Sequence, residues 1–301
     1  MAYFFQILLS GIHSGALYAL LSYGYVLTYL VTKRANIAHG ALFAFSGQMF
    51  ALGTNFAYNV LWIILPLAIA LGGLIALIVS VLALMVLARI VFPPFIKRAP
   101  NAMITASLAI SIVLMESARI ISGGHDLWLT PILANQIHFG SEADSPTLTL
   151  IQILNIGIII TMILSSEAIL IRTIWGRRIR AVADDKLSAS LCGINVSYIT
   201  SLAIITGGLF AVAGGLIATI YYGNMSFGAG LTYGLKVLFI ASAGGFSRPL
   251  YAAIGALCFG ICENLWDGYF PIIWREAVFY CLLAIMLCMR TESQVSVNDR
   301  V

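Results

Sequence analysis

Four ionisable residues fall inside or beside long apolar runs of this 301-residue chain: Glu116, Glu167, Lys236 and Glu263. A charge at the middle of a bilayer costs roughly 2.5–3.5 kcal/mol on insertion scales, so each must face protein or water. Two roles suit such residues: lining a polar pathway, or neutralising one another as a lysine–carboxylate pair. Lys236 fits either role and Glu263 fits a structural pair, while Glu116 and Glu167 also fit span ends whose side chains reach the interface. They form no run of alternating carboxylates such as a proton relay needs. Catalytic chemistry is poorly supplied. There is no G-x-x-x-x-G-K-[ST] loop to cradle nucleotide phosphates and no H-E-x-x-H to hold a hydrolytic zinc. His13, His39, His125 and His138 lack metal-ligand spacing, and "GFSRP" (245–249) has Gly-x-Ser without the closing glycine of a nucleophile turn. Cys258 and Cys262, one helical turn apart, read as small packing residues. No enzymatic activity, metal or cofactor is expected, and no nucleic-acid partner.

The densest charge lies elsewhere. Seven charged residues fall between Arg172 and Lys186, in a chain that is 61% hydrophobic and only 9% charged. In "WGRRIRAVADDKLSASLCGIN" (175–195), Arg177, Arg180 and Asp184 share one helical face, and Ala181 and Ala183 favour helix. A helix is expected to continue through "LSASLCGI", end at Gly193 and turn at Asn195. A basic anchor alone needs no such helix; a permease that docks into a separate motor subunit does.

These residues sit on a framework set by hydropathy. A mean hydropathy of +0.99 indicates an all-α polytopic membrane protein, a single transmembrane domain over residues 1–301. A span needs about 20 mostly apolar residues, and the runs predict about eight or nine: 6–32, 38–57, 61–90, 102–121, 148–171, 198–221, 229–243, 250–265 and 273–289. The stretches 38–57 and 229–265 are open between full spans and partly re-entrant segments. The run 61–92 is too long for one upright span and must tilt or bend, with Pro66 or Gly72-Gly73 as the candidate sites. The first run lacks the basic flank and small-residue cleavage site of a removable signal, so it is expected to be a permanent span.

Thirteen of the sixteen Lys and Arg residues fall on one side of these spans, at Lys33/Arg34, Arg89/Lys97/Arg98, Arg172 to Lys186, Arg248 and Arg290/Arg300. That side should be cytoplasmic, with the N-terminus outside and the C-terminus inside. Residues 172–195 then form a cytoplasmic segment. Residues 122–147, with Trp128 and the acids Asp126, Glu142 and Asp144, form the long external loop. "NIAHGA" (36–41) and "NMSFGA" (224–229) share Asn-x-small-x-Gly-Ala. Five spans separate them, so they face opposite sides, as the halves of an inverted repeat do. Asn36, His39, Gly40, Asn224 and Gly228, with Lys236 and Glu116, are therefore the candidate substrate-pathway residues.

The segment "GRRIRAVADDKLSASLCGIN" resembles the cytoplasmic coupling segment of branched-chain amino-acid ABC importer permeases of the LivH-like type. Gly176, Arg177, Arg180, Ala181, Asp184, Asp185, Ala189, Leu191, Gly193, Ile194 and Asn195 match its pattern. "NIAHG" is similar to the family's Asn-Phe-Ala-His-Gly, and "GLKVLFIASAGG" (234–245) to its Gly-x-Lys segment, with Glu263 at an acidic position beyond. The likeness runs through nearly the whole chain in order. It departs at Ala41, where the family usually has Glu, at "FSRPLY" after Gly245, where the family is glycine-rich, and at Glu116. The resemblance implies a type II ABC importer permease in the cell inner membrane, for branched-chain or other amino acids. It also implies cytosolic ATPase subunits, a second and homologous permease subunit, and an extracytoplasmic binding protein. Coupling to the ATPase would rest on Gly176, Arg177, Arg180, Asp184, Asp185, Leu191, Gly193, Ile194 and Asn195. Urea or short amides are the alternative substrates, and a self-sufficient secondary transporter or channel is the alternative class.

Overall fold

The structure, a computed structural model, describes residues 2–96, 100–130, 135–138, 146–244, 246 and 248–295. Of the residues named above, Lys97, Arg98, Glu142, Asp144, Gly245, Ser247 and Arg300 lie outside them. In hydrocarbon a helix is the simplest way for a segment to satisfy its own backbone polar groups, and helices dominate this chain. They are α1 (Ala2–Thr32), α2 (Ala38–Asn59), α3 (Leu65–Val86), α4 (Phe92–Ile96), α5 (Pro100–Ile121), α6 (Leu150–Arg172), α7 (Ile174–Asp184), α8 (Lys186–Leu191), α9 (Val196–Tyr222), α10 (Ala229–Gly244), α11 (Pro249–Tyr269) and α12 (Arg275–Val295). Two short strands, β1 (Gln136–His138) and β2 (Thr147–Thr149), pair antiparallel within the long polar connection.

Six stretches among the described residues are long and apolar enough to cross a membrane: Tyr3–Thr32, Leu65–Ile96, Asn101–Ile121, Leu150–Arg172, Val196–Tyr222 and Pro249–Tyr269. The other three expected spans, 38–57, 229–243 and 273–289, are also helical, as α2, α10 and α12. Helix α2 is the central one. Seventeen of its 22 residues are buried, and α3, α5, α9 and α10 surround it. Its mixed composition follows from that position, because a helix shielded by neighbours need not be oily all round. Ser46 Oγ, for example, donates to Val212 O of α9 at 3.0 Å. The glycine-rich stretch 207–215 acts as a packing surface, with Gly207 against Gly24 of α1 and Gly215 against Phe43 of α2.

The packing has internal symmetry. Helix α1 packs on α9 and α11, α2 on α3, α5 and α9, and α10 on α11, α12 and α1. Exchanging α1 with α9, α2 with α10, α3 with α11 and α5 with α12 maps these pairings onto one another, and carries α1–α11 onto the observed α3–α9 contact. The α1–α9 and α2–α10 contacts map onto themselves. This is the pairing pattern of an internal two-fold repeat.

Two expectations need correction. The run 61–92 does not bend at Pro66 or Gly72-Gly73. Pro66 occupies the first turn of α3, where its missing N–H costs nothing, and Gly72 lies flat against Thr54 of α2. The irregularity is a π-helical segment, Leu87–Val91, where Ser201 Oγ donates to Ala88 O at 3.2 Å. Cys258 and Cys262 are exposed and are not core packing residues.

The two ends of the bundle are chemically distinct. At one end, Lys186 lies close enough to Lys33 and Arg34 to feel their charge, and the arginine-bearing α7 packs on α1 and α8. At the other, Tyr3 OH donates to Gly268 O at 3.0 Å, the Gln6 amide clasps the Thr147 backbone at 3.0 and 2.7 Å, and Leu129 N donates to Gly223 O at 2.7 Å.

Candidate functional site

The charged segment folds as two short helices set against the basic end of the bundle. Helix α6 stops at Arg172 because Thr173 turns to extended backbone, φ −97° and ψ 162°. The Thr173 hydroxyl then accepts from Gly176 N at 3.2 Å and caps α7. The reversal is so tight that a Cβ on Gly176 would collide with the Leu170 carbonyl; only glycine fits there. Helix α7 buries Gly176, Ile179, Val182 and Ala183 and exposes Arg177, Arg178, Arg180 and Asp184. Arg180 also donates to Ile171 O at 3.3 Å, covering a carbonyl at the end of α6.

The expected single helix through 176–191 is broken. Asp185 adopts φ −147° and ψ 118°, ending α7 and starting α8. Its carboxylate accepts from Leu187 N at 2.9 Å, from Ser188 N at 3.2 Å and from the Ser188 hydroxyl. The Ser188 hydroxyl first, and then these amides, hold the Asp185 carboxyl below its usual pKa. An acidic pair that reads as helix surface charge is therefore one surface charge, Asp184, and one cap, Asp185. Helix α8 ends as expected. Gly193 takes φ +79°, Gly193 N donates to Ser190 O at 3.0 Å and Ile194 N to Ala189 O at 3.1 Å, the paired bonds of a Schellman ending. Asn195 then caps α9, its Oδ1 accepting from Tyr198 N at 3.1 Å.

Sequence reasoning singled out Leu191 but passed over Leu187. Both stand one turn apart on α8, 81% and 70% exposed, beside the cationic face of α7. Two bare leucines next to three arginines at the end of a bundle form a surface that a protein partner would cover. The i, i+4 spacing is visible in the sequence, but the exposure follows only from the break at Asp185.

The pathway candidates divide differently. Gly40 of α2 lies against Gly230 and Gly234 of α10, so close that no Cβ would fit. The N-terminal turns of these helices thus run side by side. Asn36 and His39 are buried with partners in the chain. Asn36 Oδ1 accepts from Ala38 N at 3.1 Å, and His39 Nε2 bonds Leu21 O at 3.1 Å. Asn224 is partly exposed and Gly228 exposed, with open space around the latter. Glu116 pairs with Arg119 at 2.8 Å, one turn along its own helix. Glu167 accepts from Tyr23 OH at 3.0 Å.

Lys236 belongs to an ionic cluster joining α10, α11 and α12. Its ammonium donates to Glu263 at 2.7 Å and Glu276 at 2.9 Å. Arg275 reaches Asp267 at 2.7 Å, Glu276 at 3.1 Å and Glu263 at 3.4 Å. Lys236 and Glu263 are both 4% exposed. The sequence leaves Glu263 and Glu116 open as partners of Lys236, and the structure pairs it with Glu263; Arg275, Asp267 and Glu276 come from the far ends of α11 and α12 and complete the cluster. Among the described residues no group of three or more His, Cys, Asp or Glu is placed to hold a metal.

Comparison with known proteins gives a consistent picture. The profile of the family described as "Branched-chain amino acid transport system / permease component" matches residues 7–287. The high-affinity branched-chain amino acid transport system permease protein LivH of Escherichia coli (strain K12) is 26% identical over 294 residues, 95% of this chain and 93% of that protein. The corresponding permease protein BraD of Pseudomonas aeruginosa is 24% identical over 298 residues, 96% and 94% of the two chains. No solved structure matches.

Proposed function

The chain belongs to the family of branched-chain amino acid transport system permease components, and from that premise we propose that it is the membrane-spanning subunit of an ATP-driven importer of branched-chain or related amino acids. The bundle is the translocating part and holds no nucleotide loop, so ATP is hydrolysed by separate cytosolic subunits. These dock on α7 and α8. The observation that carries this reading is the exposed surface of Arg177, Arg180, Asp184, Leu187 and Leu191, rigidly presented by the Thr173, Asp185 and Gly193 turns. The basic end is the cytoplasmic one, which places the N-terminus outside and the C-terminus inside the inner membrane. A second permease subunit completes the pathway, and an extracytoplasmic binding protein delivers substrate to the opposite end. Asn36, His39, Gly40, Asn224, Gly228, Glu116 and Lys236 act on the pathway: Gly40 by letting α2 and α10 approach, Lys236 through its ionic cluster, and Gly228 as open backbone at the start of α10.

The test is to purify the chain with and without its candidate ATPase. It should hydrolyse no ATP alone, and it should copurify with an ATPase through the α7–α8 surface. Substrate uptake by the chain alone, driven by an ion gradient, would refute the proposal and favour a secondary transporter.

A further inference from the structure

A groove of about 420 Å³ opens at the basic end between the irregular stretch that follows α3 and the first turns of α9. Its walls include Pro93, Ile96 and Ile204, and Lys186 and Ser197 stand among its lining residues. Two of the three hydroxyls inside it, those of Thr200 and Ser201, are satisfied by backbone carbonyls. Thr200 Oγ1 donates to Val196 O at 2.8 Å, and Ser201 Oγ donates to Ala88 O at 3.2 Å. The groove is therefore mostly apolar within, with the Ser197 hydroxyl and the Lys186 ammonium among its lining.

Among the described residues no carboxylate lies within ion-pair distance of Lys33 or Lys186. Burial first, and then the nearby charges of Arg34 and Lys33, depress the Lys186 pKa below the ordinary lysine value. Lys33 itself sits at φ +52°, a backbone region that disfavours any residue with a Cβ. The chain thus gathers cations at a position where they repel one another and one of them is conformationally strained.

We infer that this groove binds an anionic phospholipid of the adjoining leaflet, one acyl chain lying between the end of the α3–α4 stretch and α9 and the phosphate held by Lys186, with the charge of Lys33 adding to the attraction. Charge complementarity selects the lipid's sign, and the apolar interior selects a chain over a soluble phosphate. The level of the groove, at the ends of the membrane-crossing stretches Leu65–Ile96 and Val196–Tyr222, places it where lipid is always at hand. The bound lipid would brace α8, and with it the Leu187–Leu191 surface, against the bundle. This inference does not depend on the identity of the transported solute.

The experiment is native mass spectrometry of the full chain, purified in detergent and titrated with phosphatidylglycerol, phosphatidylcholine or inorganic phosphate. Phosphatidylglycerol should be retained in preference to phosphatidylcholine, and phosphate should not be retained. Each basic side chain near a membrane surface contributes about fivefold in affinity, so Lys33→Gln with Lys186→Gln should weaken phosphatidylglycerol about 25-fold. Lys186→Arg should retain it, and Thr200→Trp, which fills the groove and keeps every charge, should lose it. A monodisperse gel-filtration profile for each variant excludes loss by unfolding. Equal retention of the two lipids, or of phosphatidylglycerol by wild type and the double variant, would overturn the inference. So would unchanged lipid retention in a double variant that no longer copurified with its ATPase, because the cations would then belong to a protein interface.

Discussion

Removing the charge of Lys236 should cost much more than removing that of Glu263, and removing both should cost less than removing Lys236 alone. In the native cluster two cations, Lys236 and Arg275, face three carboxylates, Glu263, Asp267 and Glu276. Lys236→Met leaves one cation against three carboxylates, with Glu263 almost wholly buried. Breaking a buried pair from one side costs about 3–5 kcal/mol. Arg275 lies 3.4 Å from Glu263 and offsets part of that, so the expectation is about 3 kcal/mol at the low end of the range. Glu263→Gln leaves two cations facing two carboxylates and keeps an acceptor for Lys236, so it should cost about 1 kcal/mol. The double variant returns to the native imbalance of a single negative charge and should also lose only about 1 kcal/mol. The coupling is then about 3 kcal/mol, far above the few tenths seen for independent sites. The assay is the thermal midpoint of the detergent-solubilised chain, monitored by the monomer peak on gel filtration. At about 2 °C per kcal/mol, Lys236→Met should fall by about 6 °C and the double variant by about 2 °C. A double variant that loses the sum of the two single losses would refute the reasoning, because Lys236 and Glu263 would then act independently.

Leu187→Ser with Leu191→Ser should leave membrane abundance unchanged and weaken ATPase copurification at least a hundredfold, since covering two leucines is worth about 3 kcal/mol or more; normal copurification would remove these residues from the interface. Gly176→Val should abolish accumulation of folded permease, because its side chain would strike the Leu170 carbonyl, and wild-type levels on a fluorescence gel-filtration trace would contradict the reversal described at Thr173. The Asp185 cap has a pH signature. Its carboxyl is held below the ordinary value in the folded chain, so its stabilisation is fully present above about pH 4 and is lost as pH falls through the lower folded value. Accordingly, the protection of the Leu187 and Ser188 amides relative to their intrinsic exchange rates should hold at pH 5 and fall only in stronger acid, and Asp185→Asn, which can still cap, should flatten that dependence. A cysteine at Ser188 should react with an impermeant maleimide only from the cytoplasmic side, and one at Asp126 only from outside; the opposite pattern would invert the topology.

Much of the fold was legible because a bilayer reduces the problem to long apolar helices. The expected spans agree with helices α1, α3, α5, α6, α9 and α11 within a few residues. The Gly193 ending was legible because glycine before Ile-Asn marks a left-handed cap. That Lys236 needs a carboxylate partner was legible because buried opposite charges in one membrane chain seek each other, but the choice of Glu263 over Glu116 follows only from the packing of α10 on α11. What escaped was set by contacts between distant segments or by local bonding choices. Asp185 belongs by type equally to a helix surface and to a cap, and only its bonds to Leu187 and Ser188 decide. The π segment at Leu87–Val91 contains no glycine, and the two prolines that follow closely, Pro93 and Pro94, lie in a turn that remains helical. Gly176 reads as an ordinary helix residue until the path of α6 places Leu170 over it. Arg275 and Glu276 precede an apolar run and look like a span boundary, yet Glu276 pairs with Lys236 and Arg275 with Asp267 and Glu263.

The central claim is that this chain moves its solute only when a separate ATPase drives it through the α7–α8 surface. The most direct measurement is ATP-dependent leucine uptake into proteoliposomes holding the permease subunits with their ATPase and binding protein, comparing wild type with Arg180→Glu/Asp184→Arg. That swap preserves net charge, and so should preserve topology and insertion, but it reverses which charge meets which partner. The account predicts ATP-dependent uptake for wild type and little or none for the swapped variant, with both equally inserted; full uptake by the variant, or uptake by wild type without the ATPase, would contradict it.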